Sequence, residues 1–199
     1  IHADARTLIT TDQVHGKASV NYALTNQKLL EFNGANKNAI VVMGGFIASS
    51  SEGVATTLGR GGSDFTAAIV AAALDASLLE IYTDVSGMFT ANPKLVKQAR
   101  PITSISYEEA MELSHFGAKV LYPPTIQPVL QKQIPIAIKN TFDPQAVGTL
   151  IQKQASEGNK TVQGISHVEN IALISLEGSG MVGIPGISKR FFEVLSNAK

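Results

Sequence analysis

The chain of 199 residues is 44% hydrophobic, enough for a sizeable core in one domain or one and a half, and its 16 basic and 16 acidic side chains cancel. Balanced charge gives no reason to expect a nucleic-acid partner, and no apolar run reaches the roughly 18 residues of a membrane span. The absence of cysteine excludes disulfides and thiolate metal sites and fits a cytoplasmic protein. The opening Ile1-His2-Ala3-Asp4 reads as the interior of a domain, so a fragment is expected.

In chain order, Arg6 to Thr10 reads as a short strand. Val20, Ala23, Leu24 and Leu30 suggest an amphipathic helix that Gly34 to Asn38 breaks. Ala39-Ile40-Val41-Val42-Met43 is a continuous apolar run, which predicts a buried parallel strand with Gly44-Gly45-Phe46 at its C-terminal end. A glycine-rich stretch, Gly59 to Asp64, precedes a segment apolar on nearly every face from Phe65 to Leu74, so a helix packed on more than one side is expected. Leu78 to Tyr82 predicts a strand ending at Thr83-Asp84. Ser106-Tyr107-Glu108-Glu109 is a capping box opening a helix through Leu113. Pro123-Pro124 marks a turn into a helix ending near Lys132. Ile134 to Ile138 and Thr149 to Ile151 predict further strands. This alternation argues for an α/β layer fold with a largely parallel sheet, whose ligands sit at the C-terminal ends of strands.

Gln152 to Lys160 is polar and reads as a linker. Beyond it a strand over Ile171 to Leu176, a glycine-rich loop, and a helix with Ile187, Phe191, Val194 and Leu195 on one face form a unit too small to be a domain alone. Gly178-Ser-Gly180-Met-Val-Gly183 matches the dinucleotide fingerprint G-x-G-x-x-G. Pro185 and Gly186 follow at once and delay the helix that should receive a pyrophosphate. A nucleotide turn, a small-molecule pocket and a plain turn all remain open on these residues.

The stretch Leu58-Gly-Arg-Gly-Gly-Ser-Asp64 has the makings of an anion cradle. Its glycines let the backbone approach a ligand, and Ser63 is expected to cap the helix. The helix start carries roughly half a positive charge, and Arg60 adds a full one in a fork suited to carboxylate or phosphate. The alternative is a turn and cap with Arg60 solvated. The run lacks the Lys-Ser/Thr ending of a Walker loop. His2, His15, His115 and His167 are scattered, so no histidine metal site is expected.

Six segments together resemble the aspartate kinases: GGFIAS (44–49), TTLGRGGSDFTAA (56–68), EIYTDVSGMFTANPK (80–94), SYEEAMELSHFGAKVLYPPT (106–125), IKNTFDPQAVGTLI (138–151) and ENIALISLEGSGMVGIPG (169–186). The wording of the last resembles kinases fused to homoserine dehydrogenase. The resemblance implies a three-layer αβα amino-acid-kinase fold with a mostly parallel sheet, followed by the beginning of an ACT-like α+β regulatory domain. Residues 1–152 would be the C-terminal part of the kinase domain, 153–160 a linker and 161–199 a truncated ACT domain. It implies transfer of the ATP γ-phosphate to the side chain of L-aspartate, with Mg²⁺, in lysine, threonine and methionine biosynthesis.

By the same resemblance, Arg60 grips the substrate, with Phe46, Gly61, Gly62, Ser63 and Asp64 around it. Arg60, Asp64 and Lys119 are the catalytic candidates. Thr83, Asp84, Phe89, Lys94, Lys119 and Val120 match positions lining the nucleotide site. Phe89 stands where many relatives carry Tyr, and Lys94 where many carry Arg. The family's Lys-Phe-Gly-Gly segment, which contacts phosphates, is absent from this sequence. Ser179, Met181, Val182, Gly183, Ile184 and Pro185 would line an effector pocket for Thr or Lys at a paired ACT interface, in a homodimer. On the residues alone, Asp84 is equally a turn former, and Lys119 reads rather as a snorkelling surface lysine. A non-catalytic amino-acid sensor is the competing function.

Overall fold

The computed structural model describes residues 1–115, 120–154, 162–172, 174–178 and 185–198. They divide into two compact units, Ile1–His167 and Val168–Lys199.

The first unit begins with β1 (His2–Ala3), a helical turn α1 (Ala5–Leu8) and β2 (Thr10–Thr11). The strand expected over Arg6 to Thr10 is therefore mostly helical. Asp4 caps the turn, its carboxylate accepting from the Arg6 N–H at 2.9 Å, and this local bond outweighs the strand preference of Thr7 and Ile9. Helix α2 (Tyr22–Ala35) starts at Asn21, whose side chain accepts from the Leu24 N–H, and runs through Gly34. After β3 (Val42–Met43) come β4 (Ile47–Ser50) and β5 (Ala55–Thr57), an antiparallel pair. Helix α3 (Gly62–Ala73) follows, then β6 (Leu79–Thr83), β7 (Ser104–Ser106) and α4 (Tyr107–His115). A 3-10 turn (Pro123–Ile126) leads into α5 (Gln127–Lys132), and β8 (Ile136–Asn140) and β9 (Thr149–Gln152) close the unit.

The capping box forms as expected. The Ser106 N–H and Oγ both donate to Glu109 Oε2 at 2.9 Å, and the Glu109 N–H donates back to Ser106 Oγ at 3.2 Å. Strand pairing is mostly parallel: β1 with β3, β2 with β4, β6 with β8, and β7 with β9. Only β4–β5 and β8–β9 run antiparallel among the described ladders. The result is a mixed α/β architecture with sheet orders β1-β3, β2-β4-β5 and β6-β8-β9-β7. No helix among the described residues is long and apolar enough to cross a membrane.

Two apolar clusters form the interior. One joins Ile81, Ile105, Ile136, Ile138 and Ile151 to Ala68 and Ala71; the other joins Ile9, Leu29, Ala48 and Leu58 to Ile69. Helix α3 thus contributes to both, which is why its sequence has almost no polar face. The run Ala39 to Met43 corrects the expectation of a buried strand. Only Val42–Met43 is strand, Ile40 is 86% exposed and Val42 64%, because β3 is paired only to β1 among the described residues.

In the second unit, α6 (Ile187–Asn197) starts after Gly186, which is left-handed at φ 88°. Phe191 and Phe192 meet edge to face at 5.5 Å. Ile171, Ala172 and Ile174 to Gly178 are not in a strand, contrary to expectation. A lone extended segment forms no ladder until another strand pairs with it.

Candidate functional site

The turn leading into α3 is built from two left-handed glycines, Gly59 at φ 78° and Gly61 at φ 68°, with Arg60 between them. Gly61 is the N-cap, and no side chain caps the helix. Ser63 therefore does not take the capping role expected of it. The left-handed turn starts the helix at Gly62, two residues earlier than a Ser63 cap would, and leaves Ser63 exposed in the first turn. Ser63 lines an open cleft of about 530 Å³ together with Val41, Met43, Gly45 and Thr66. Asp64 is partly buried in the same turn, and burial raises the pKa of its carboxyl above the ordinary value.

Arg60 is exposed and has no carboxylate partner among the described residues. Its guanidinium carbon lies 5.2 Å from the centroid of the Tyr122 ring. That contact sets the cradle against the segment carrying Val120, which is partly buried against the larger apolar cluster.

The Gly45-Phe46 loop is locked to the cradle. Phe46 is left-handed at φ 76°, a conformation that costs a non-glycine residue about 1–2 kcal/mol. Its N–H donates to Thr66 Oγ1 at 3.0 Å and its carbonyl accepts from the Leu58 N–H at 2.9 Å. A Cβ on Gly45 would lie 2.9 Å from Ser63 Cα, and one on Gly62 would lie 2.7 Å from the Phe46 ring. Both glycines are thus required by close approach, which brings Gly45 against Ser63 and Phe46 against Gly62.

At the C-terminal end of β6, Thr83 Oγ1 donates to Asp84 Oδ1 at 3.1 Å, and the Thr83 carbonyl accepts from the Thr141 N–H at 2.8 Å. The chain then turns through Gly87, left-handed at φ 101°. Thr149 Oγ1 accepts from the Met88 N–H at 2.7 Å and donates to the Ile102 carbonyl at 2.6 Å. Phe89 forms an isolated antiparallel bridge with Pro101. Asn140 Nδ2 donates to Ser86 Oγ at 2.9 Å. Lys94 is exposed, and its backbone N–H donates to Asn92 Oδ1 at 3.0 Å.

Lys119 and the effector candidates Ser179, Met181, Val182, Gly183 and Ile184 lie outside the described residues. Pro185 is exposed in the turn before α6. Among the described residues no group of three or more His, Cys, Asp or Glu side chains comes together. Sequence reasoning missed Thr66, Tyr122 and Thr149. A threonine inside an otherwise apolar helix was the only available signal, at Thr66.

Comparison with known proteins follows the same lines. The amino acid kinase family model matches residues 1–140. A bifunctional aspartokinase/homoserine dehydrogenase of Haemophilus influenzae is 46% identical over 162 residues, covering 81% of this chain and 20% of its own length. The crystal structure of Escherichia coli aspartokinase III with aspartate and ADP superposes with a TM-score of 0.73 at 39% identity, over 78% of this chain and 35% of that one. The same enzyme with lysine and aspartate gives 0.77 at 33% identity, over 98% and 44%. The chain spans about a fifth of the length of the bifunctional relatives it matches. With a matched family model over most of its first unit, a mostly parallel α/β fold and solved relatives of the same architecture, the chain belongs to the amino acid kinase family.

Proposed function

We propose that this chain supplies the aspartate-binding side of an aspartate kinase, which phosphorylates the L-aspartate side chain with ATP to give 4-phospho-L-aspartate. The observation that carries the reading is the cradle itself. Two left-handed glycines present an exposed Arg60, without a carboxylate partner among the described residues, at the entry to α3, whose Gly62 lies against Phe46. A guanidinium there matches the α-carboxylate of an amino acid in bidentate fashion, and the helix N-terminus favours the same charge. The names of the relatives, an aspartokinase solved with aspartate and ADP among them, agree with this chemistry.

The reaction asks little covalent help of the protein. The side-chain carboxylate is ionised at neutral pH, so no dedicated base is needed. One of its oxygens attacks the γ-phosphorus, the bond from that phosphorus to the ADP oxygen breaks, and the electron pair leaves with ADP. The protein's part is to align two anions and offset their repulsion. Arg60 holds the α-carboxylate, with Gly61, Gly62, Ser63, Asp64 and Phe46 shaping the pocket. Thr83, Asp84, Phe89, Lys94, Lys119 and Val120 are assigned to the nucleotide, and Lys119 to the charge developing on the phosphates. Mg²⁺ would arrive with ATP and screen the phosphate charge, and Asp84, an exposed carboxylate at the end of β6, is a hard oxygen ligand of the right kind. Residues 161–199 are read as the start of an ACT domain that pairs with a second copy. Residues 179–185 would bind Thr or Lys as feedback inhibitor, and the whole would act in the cytoplasm in lysine, threonine and methionine biosynthesis.

The test is steady-state phosphoryl transfer by the full-length protein. Arg60→Ala removes charge-assisted hydrogen bonds worth about 1.5–3 kcal/mol, so KM for aspartate should rise roughly 10- to 100-fold while KM for ATP holds. An unchanged aspartate KM removes Arg60 from this role. Tight aspartate binding without turnover in the wild-type protein would favour an amino-acid sensor instead.

A further inference from the structure

We infer that Thr66 is a positioning residue for the substrate end of this site: its hydroxyl holds Phe46 in its left-handed conformation against the start of α3. Thr66 is 3% exposed in a helix whose other buried side chains are apolar or absent. Its Oγ1 donates to the Gly62 carbonyl at 2.8 Å, the ordinary backbond of a helical threonine. What is not ordinary is the second bond, in which the same oxygen accepts from the Phe46 N–H, twenty residues away in sequence, at 3.0 Å. The two bonds use the donor and an acceptor position of one hydroxyl. They tie a strained loop residue to the helix turn that carries the cradle.

The strain makes the tie consequential. Phe46 prefers negative φ, and the Thr66 and Leu58 bonds pin its N–H and its carbonyl where they are. The Phe46 ring occupies the space a Cβ on Gly62 would fill. If the N–H bond is lost, Phe46 can relax toward negative φ, its ring leaves Gly62, and the turn bearing Arg60 loses its brace. Thr66 acts only through Phe46 and Gly62.

This inference rests on the aspartate-kinase reading, and its test keeps the two apart. In the full-length protein, Thr66→Val keeps the shape and removes both bonds. Thr66→Ala removes the same hydroxyl without placing a methyl 3.0 Å from the Phe46 nitrogen, and serves should the valine variant not fold. Thr66→Ser keeps the hydroxyl. The expected result is a five- to tenfold rise in aspartate KM for Val or Ala, ATP KM within twofold of wild type, and recovery with Ser. Equal rises in both KM values, or no rise, overturn the assignment, as does a serine variant no better than alanine. Amide exchange at Phe46 without substrate reads the tie independently of chemistry. It should speed five- to tenfold in Val or Ala and return with Ser. If the wild type fails to phosphorylate aspartate, the kinase reading falls. Exchange at Phe46 then still decides the tie, and an unchanged rate refutes it.

Discussion

One hydroxyl, that of Thr149, joins three separate segments, and removing it should both destabilise the fold and loosen the loop after β6. Thr149 is 2% exposed at the start of β9. It accepts from the Met88 N–H and donates to the Ile102 carbonyl, and both of those residues are buried. Thr149→Val opens no cavity, but it places a methyl where Oγ1 lay 2.7 Å from the Met88 nitrogen and 2.6 Å from the Ile102 oxygen, so the hydrogen-bond loss is the lower bound of its effect. A buried N–H left without an acceptor costs about 1–3 kcal/mol, and the Ile102 carbonyl adds a smaller amount, giving about 2–4 kcal/mol in all. For a domain of this size that is a fall in melting temperature of roughly 5–15 °C. Thr149→Ser keeps the bonds and loses one methyl, about 1 kcal/mol. Thermal unfolding of the three proteins, with amide exchange at Met88, measures the effect at the site of the lost bond. Because Met88 adjoins Phe89 in the proposed nucleotide loop, KM for ATP should rise while KM for aspartate holds. A valine variant melting within about 2 °C of wild type with unchanged Met88 exchange would refute the reasoning.

Two further perturbations follow from the same geometry. Gly148 is left-handed at φ 75°, and a Cβ there would run into the Ile138 carbonyl oxygen of buried β8. Gly148→Ala should cost about 2–5 kcal/mol. Gly16→Ala, also at positive φ but with nothing within 4 Å of the new Cβ, should cost only about 1–2 kcal/mol. Similar melting temperatures for the two would show that the strand contact is not rigid. Asp64 has its folded pKa raised by burial, so the stability it contributes is fully present below the unfolded pKa and is lost as pH rises through the folded one. Asp64→Asn should therefore melt higher than wild type at pH 7 and close to it at pH 3. A variant less stable at pH 7 would mean that the charge at the start of α3 outweighs the burial penalty.

Much of the scaffold was legible because its signals are local. Glu109 stands three residues after Ser106, and Ile136 to Ile138 is apolar without interruption, so the capping box and the central strand declare themselves. The run from Ile40 carried the same signal, yet Ile40, Val41 and Val42 are exposed, because an apolar sequence states a preference for cover and does not supply the cover. Ser63 failed as a cap for a different reason. Cap preferences assume an ordinary helix entry, and Gly61 in a left-handed turn moves that entry two residues toward the N-terminus.

The site residues that sequence missed share one property, which is that their partners are distant along the chain. Thr66 finds Phe46 twenty residues away, and Thr149 finds Met88 at a separation of 61. Neither threonine lies in a motif that advertises the contact, since a buried threonine reads as filler until its hydrogen bonds are seen. Yet the two perform the same task at the two ends of the proposed reaction. Each accepts a backbone N–H from a loop that has just passed a glycine; Thr66 donates to the Gly62 carbonyl in the first turn of its own helix, and Thr149 to the Ile102 carbonyl ahead of β7. Glycine-rich loops come close to ligands because little holds them, so their geometry must be imposed from outside. In this chain two single hydroxyls impose it, and the paired KM measurements on Thr66 and Thr149 should separate along the two substrates.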